Sequence, residues 1–281
     1  MTTRPPCDAL MSATAAPIHD HAVTVWNGSI TMHFKVSGSG PPAIYLHPAA
    51  GLAWDPFLTR MSEHHTVYAP EIPGTSAGDP HAIHRIDDIH DLVLIYEEAI
   101  RALDLGEPPI AIGQSFGGML AAELAAHFPD LFAKIVLLAP IGLWHEDAPL
   151  AYWMEAAPTE LPAMVFHDPD GPAAKAMFTP PEDPEAAIAM QAGLVWALGC
   201  TGKFVWPIPE QGLHKRLHRI SAPTLIVWGR EDRLNPVSYA KELGDRIDGS
   251  RVEVIADCGH IPQMEQQDQT IAIVEDFLGD A

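Results

Sequence analysis

Short, continuous apolar runs alternate with helical patterns along most of this chain. Apolar runs occupy residues 43–46, 66–69, 110–112, 134–139, 224–228 and 251–255. Helix-like segments fall at residues 57–63, 86–103, 116–127, 238–247 and 268–278. In the second of these, Ile89, Leu92, Val93, Tyr96 and Ile100 share one face. Strands without polar alternation are buried on both faces, so the pattern predicts a mostly parallel sheet with helices on both sides. Upstream, β-type runs at 22–26 and 30–36 flank Asn27-Gly28. That dipeptide suits a type I′ turn, which predicts an N-terminal antiparallel hairpin and eight strands in all.

The rhythm stops between residues 141 and 212, after the sixth strand. This stretch is rich in proline, and it holds Trp144, Trp153, Trp196 and Trp206 with Met154 and three further methionines. A segment this long reads as an inserted helical cap rather than a loop. The expected organisation is a flexible leader over 1–21, a core of 22–140 with 213–281, and a cap of 141–212.

Charge bounds the function. Lys and Arg number 16 against 37 Asp and Glu, a formal net charge of −21. Phosphate backbones and anionic lipid surfaces repel such a chain, so nucleic-acid and peripheral-membrane partners are not expected. The longest near-apolar run, 135–144, is far shorter than the ~20 residues of a membrane span. Cys7, Cys200 and Cys258 cannot make a disulfide framework, and the N-terminus shows no signal-peptide core; the expected setting is the cytoplasm.

Gly113-Gln114-Ser115-Phe116-Gly117 joins a strand end to a helix start. A nucleophile elbow needs that setting: a sharp turn lifts the serine above the sheet edge, and the new helix N-terminus aims amides at developing negative charge. A serine hydroxyl needs a base, and His260 follows a late strand in a loop relieved by Gly259. The imidazole needs an acid to fix its tautomer, and Asp232 directly follows the strand at 224–228. Glu231 is an alternative acid. His214 and His218 have i, i+4 spacing, but no glutamate follows His214; an amphipathic helix accounts for them without a metal.

The elbow, Trp228-Gly229 followed by Asp232 and Pro236, Gly259-His260 before a last helix, and Leu46-His47 after the third strand occur in order. On these the chain resembles the α/β-hydrolase fold superfamily from about residue 22 to its C-terminus. The resemblance implies Ser115 as nucleophile, His260 as base and Asp232 as orienting acid; some relatives place the acid after the preceding strand, which would point near Asp147. Relatives commonly carry His-Gly where this chain has His47-Pro48. Proline has no N–H, which moves the first oxyanion amide to Ala49, with Phe116 supplying the second. The glycine-rich loop at 74–78 also departs from the usual pattern.

The insert carries ten acidic residues, two lysines and no arginine. A carboxylate or phosphate substrate calls for a guanidinium fork, so a neutral, largely apolar acyl substrate is expected. Trp144, Trp153, Met154, Trp196, Trp206 and Ile261 are its candidate walls. The resulting expectation is a serine esterase acting on a small carboxylic ester with water, without cofactor or metal. Two alternatives stand beside it. One is a carbon–carbon bond hydrolase of ring-cleavage products; such relatives typically carry a cap arginine and a tryptophan after the base, where this chain has Ile261. The other is a ligand-binding or receptor protein on the same scaffold. A homodimer is compatible with the sequence, which does not specify the oligomeric state.

Overall fold

The computed structural model describes residues 16–76, 79–153, 155–157 and 159–279. Eight strands form one sheet: β1 (His19–Val25), β2 (Ile30–Gly38), β3 (Pro42–Leu46), β4 (Thr66–Pro70), β5 (Ile110–Gln114), β6 (Ile135–Leu138), β7 (Thr224–Gly229) and β8 (Arg251–Ile255). Their order is β1-β2-β4-β3-β5-β6-β7-β8. β1 pairs β2, and β2 pairs β4, antiparallel; the remaining neighbours are parallel.

Nine α-helices accompany the sheet among the described residues: α1 (Pro56–Met61), α2 (Ile89–Ala102), α3 (Phe116–His127), α4 (Leu161–Val165), α5 (Pro172–Phe178), α6 (Pro184–Val205), α7 (Ser238–Arg246), α8 (Pro262–Glu265) and α9 (Gln267–Gly279). Successive strand residues point to opposite faces, and each face has its own core. Ile44, Leu46, Ile226 and Trp228 pack with residues of α2, α3 and α7. Ala43, Tyr45, Leu225 and Val227 pack with Phe57 and Leu58 of α1 and Val274 and Phe277 of α9.

Several local features depart from the expectations. β1 begins at His19, inside the stretch taken as leader; residues 1–15 lie outside the described residues. The hairpin loop is not a two-residue type I′ turn, because Trp26 (φ 57°), Asn27 (φ 51°) and Gly28 (φ 81°) are all left-handed. Trp26 leaves the ladder, and its N–H donates to Glu98 Oε2 at 2.7 Å. His214 and His218 sit in two separate 3₁₀ turns, Leu213–Lys215 and Leu217–Arg219, rather than one amphipathic helix. His214 Nδ1 instead lies 2.8 Å from Glu210 Oε1.

Between β6 and β7 the chain forms α4, α5 and α6, of which only α6 is long. Residues 186–202 carry no charge, a longer uncharged run than 135–144. Gln191 and Thr201 interrupt its apolar character without charging it. By length and composition α6 would suffice to cross a membrane, although a third of its most apolar window is buried in the protein.

Candidate active site

The elbow is built by steric necessity. Ser115 has φ 54° and ψ −113°, a conformation that costs a non-glycine residue energy and needs support on both sides. Its N–H donates to Leu138 O at 2.9 Å, while its carbonyl accepts from Met119 N (3.0 Å) and Ile141 N (3.2 Å). The flanking glycines cannot be larger. A Cβ on Gly113 would lie 2.4 Å from Gly117 O, and one on Gly117 would lie 1.9 Å from Leu46 O. The first turn of α3 is thus pressed onto the end of β3, where the loop carrying His47, Pro48 and Ala49 begins.

Ser115, Asp232 and His260 converge although 145 residues separate Ser115 from His260. His260 Nε2 lies 2.8 Å from Ser115 Oγ. His260 Nδ1 lies 2.7 Å from Asp232 Oδ2. An ionised carboxylate only accepts, so Nδ1–H donates to it and the Nε2 lone pair faces the hydroxyl. Asp232 Oδ1 is held by Leu234 N at 2.9 Å and Asn235 N at 2.8 Å. All three side chains are buried, with Ser115 only 6% and His260 4% exposed. Glu231, the neighbouring candidate acid, points elsewhere: its Oε2 accepts from Cys258 N at 3.1 Å. This constellation can remove a proton from the hydroxyl as it attacks an electrophilic carbon, and can return that proton to a leaving group.

His47 is no second base. Its Nε2 accepts from Ile72 N at 3.2 Å, and its Nδ1 lies 2.8 Å from Pro48 O, to which the remaining ring N–H donates. Burial drives its pKa down to about 4, so the ring is a neutral strut between two loops. The amides of Ala49 and Phe116 have no hydrogen-bond acceptor among the described residues. Both residues touch the insert: Ala49 O accepts from Thr201 Oγ1 at 3.3 Å, and the Phe116 and Phe204 rings lie 6.3 Å apart.

The histidine loop has supports that sequence reasoning missed. His260 N donates to Val165 O at 2.7 Å. Glu265 Oε2 accepts from Gly259 N (2.6 Å) and His167 N (3.1 Å), and its Oε1 from Asp168 N (2.8 Å). Arg233 Nη1 donates to Ala163 O at 3.1 Å and Phe166 O at 3.3 Å. Gln114 Nε2 donates to His260 O at 3.0 Å. One stretch of the insert, 163–168, is therefore clamped to the loops that carry Asp232 and His260. A Cβ on Gly259 would lie 2.5 Å from Val165 O, which explains the glycine there. No local motif marks Glu265, since its partners are backbone amides brought together only by the fold.

The candidate pocket residues do not form one wall. Trp144, Trp153 and Trp206 gather with Tyr152 around a tight crevice that neither Ser115 nor His260 lines. Trp196 stands apart on α6, its Nε1 donating to Gly74 O at 2.6 Å. Ile261 packs with Val165, Phe166 and Leu234 under the insert. Met154 lies outside the described residues. A broad groove of about 740 Å³ between α1 and α9 is lined by none of the three converging residues. No cluster of three or more metal-ligating side chains occurs among the described residues.

Known proteins with this architecture carry related names. The chain is 26% identical to a 2-hydroxy-6-oxo-2,4-heptadienoate hydrolase of Pseudomonas putida, over 89% of this chain and 94% of that one. The crystal structure of a meta-cleavage product hydrolase superposes with a TM-score of 0.73 at 19% identity, covering 93% of this chain and 98% of the other. That of an esterase from Rhodococcus sp. superposes with a TM-score of 0.68 at 22% identity, covering 94% and 98%. Residues 38–273 match the profile of the alpha/beta hydrolase family. The chain therefore belongs to the alpha/beta hydrolase family.

Proposed function

We propose that this protein is a serine hydrolase that cleaves a small, neutral, largely apolar carboxylic ester through an acyl-enzyme intermediate. The observation that carries this reading is the Ser115–His260–Asp232 relay, at 2.8 and 2.7 Å, with the correct tautomer imposed by the acid. Ser115 Oγ attacks the acyl carbon while His260 Nε2 takes its proton. The amides of Ala49 and Phe116 receive the oxyanion, each worth about 10²–10³ in rate. His260 then protonates the departing alkoxide, and water repeats the sequence to release the acid.

The neutral-substrate part rests on charge. The insert has no arginine. Arg233, the guanidinium beside it, is occupied by two backbone carbonyls. A second reading, hydrolysis of a carbon–carbon bond in an acidic dienol, is favoured by the name of the Pseudomonas putida relative. A panel of p-nitrophenyl esters of increasing chain length, run beside a 2-hydroxy-6-oxo-dienoate, separates the two. Faster turnover of an ester supports the first reading, and faster turnover of the dienoate replaces it with the second. Tight ligand binding with ester turnover no faster than Ser115→Ala would instead mark a binding protein.

A further inference from the structure

α6 is a helix whose exposed half has the composition of a buried one. Asp183 caps it, accepting from Ala186 N at 2.8 Å, and the helix spans 22 residues, about 33 Å. Its C-terminal part is anchored, by burial of Ala197, Cys200, Thr201, Phe204 and Val205 and by the Trp196 indole, which donates to Gly74 O. The rest stands out from the body. Ile188 is 69% exposed, Val195 64%, Trp196 44% and Met190 41%. At 100° per residue Ile188 and Val195 share one side, Trp196 lies about 80° round from Ile188, and Met190 is nearly opposite it. A helix that is apolar on several sides requires an apolar surrounding.

We propose that the free half of α6 docks into a zwitterionic or uncharged lipid surface. Charge selects this occupant. The segment 186–202 carries none, whereas the chain carries −21. An anionic bilayer or a second copy of the chain would be repelled, and a phosphatidylcholine surface would not. Area points the same way. The four side chains present on the order of 400 Å² of apolar surface. A stable dimer needs about 800 Å² from each partner. A flat protein partner would also cover only one side of the helix, while lipid covers all. The repulsion that argued against membranes from sequence applies to anionic surfaces alone.

Docking would reach the site. Thr201 bonds the carbonyl of Ala49, Phe204 faces Phe116, and the Trp196 indole holds Gly74 O. Resting on the hydrolase reading, this places the site beside a phase in which an apolar ester accumulates.

The test is flotation of the full-length protein with phosphatidylcholine vesicles, which does not depend on turnover. Wild type is expected to float with the vesicles. The double variant Ile188→Glu/Val195→Glu is expected to bind about tenfold less or weaker still. Replacing part of the phosphatidylcholine with phosphatidylglycerol is expected to weaken wild-type binding. Hydrolysis of a short water-soluble ester should be unchanged in the double variant. Wild type remaining in the soluble fraction, or equal binding by both proteins, overturns the proposal. So does a wild-type dimer in sedimentation equilibrium that the double variant loses, without vesicle binding, since a second copy would then cover the helix. Vesicle binding without ester turnover would sink the ester reading and leave the docking surface standing.

Discussion

Removing the Glu265 carboxylate should loosen the loop that carries His260. Glu265→Ala takes the acceptor from three backbone amides, on Gly259, His167 and Asp168. The Gly259 amide is buried, so it is left without a partner at a cost of about 1–3 kcal/mol. His167 is partly exposed and Asp168 exposed, so water replaces most of what those amides lose. The Gly259 amide therefore sets the loss of folding stability, about 1–3 kcal/mol. His260 follows Gly259 directly, and a displacement of the imidazole by about 1 Å costs on the order of 10²-fold in rate. Urea denaturation reads the first quantity, and kcat on a soluble p-nitrophenyl ester below its midpoint reads the second. Glu265→Gln keeps one acceptor oxygen and should fall between alanine and wild type in both. An alanine variant within 0.5 kcal/mol of wild type, taken as about the noise for surface changes, and with full kcat, would refute the clamp.

Two further outcomes follow from the site. In Asp232→Asn the Leu234 and Asn235 amides still bind the side-chain oxygen, so the new NH₂ faces His260 and forces the wrong tautomer; kcat should drop about 10⁴-fold in a folded protein, measured by steady-state kinetics beside circular dichroism. Stability should also fall on acidification through His47, whose folded pKa of about 4 lies below its unfolded value of 6.5. The unfolded chain takes up this proton first, so stability present above pH 6.5 is lost as pH falls toward 4, by about 2 kcal/mol at pH 5. Asp55 partly offsets the loss, because burial raises its pKa to about 6 and the folded state then gains stability between about 6 and 3.8. Denaturation of wild type and His47→Asn across pH 7 to 5 isolates the histidine; parallel curves would contradict its buried neutral state.

Much of the sheet could be read from the chain because its strands are short apolar runs whose alternate residues serve opposite cores. Ile44 and Leu46 face one, and Ala43 and Tyr45 the other. Ser115, Asp232 and His260 were legible for a related reason. Each follows a strand end, and Gly113, Gly117 and Gly259 mark the places where backbone must meet backbone. The turn at Trp26 was not, since propensity marked Asn27-Gly28 but said nothing of the Glu98 carboxylate that accepts the Trp26 N–H. Glu265 and Arg233 were invisible because they bind main-chain groups of a distant segment, which leave no side-chain signature. α6 carries a weaker sequence signal, because Gln191 interrupts its apolar residues, whereas a membrane or a core responds to the missing charge.

The central claim is that His260, held by Asp232, makes the Ser115 hydroxyl a nucleophile. A fluorophosphonate probe followed by intact-protein and peptide mass spectrometry tests it most directly. One adduct should form on wild type and map to Ser115, none should form on Ser115→Ala, and His260→Ala should react far more slowly. Equal labelling of wild type and Ser115→Ala, or an adduct mapped to another residue, would contradict the account.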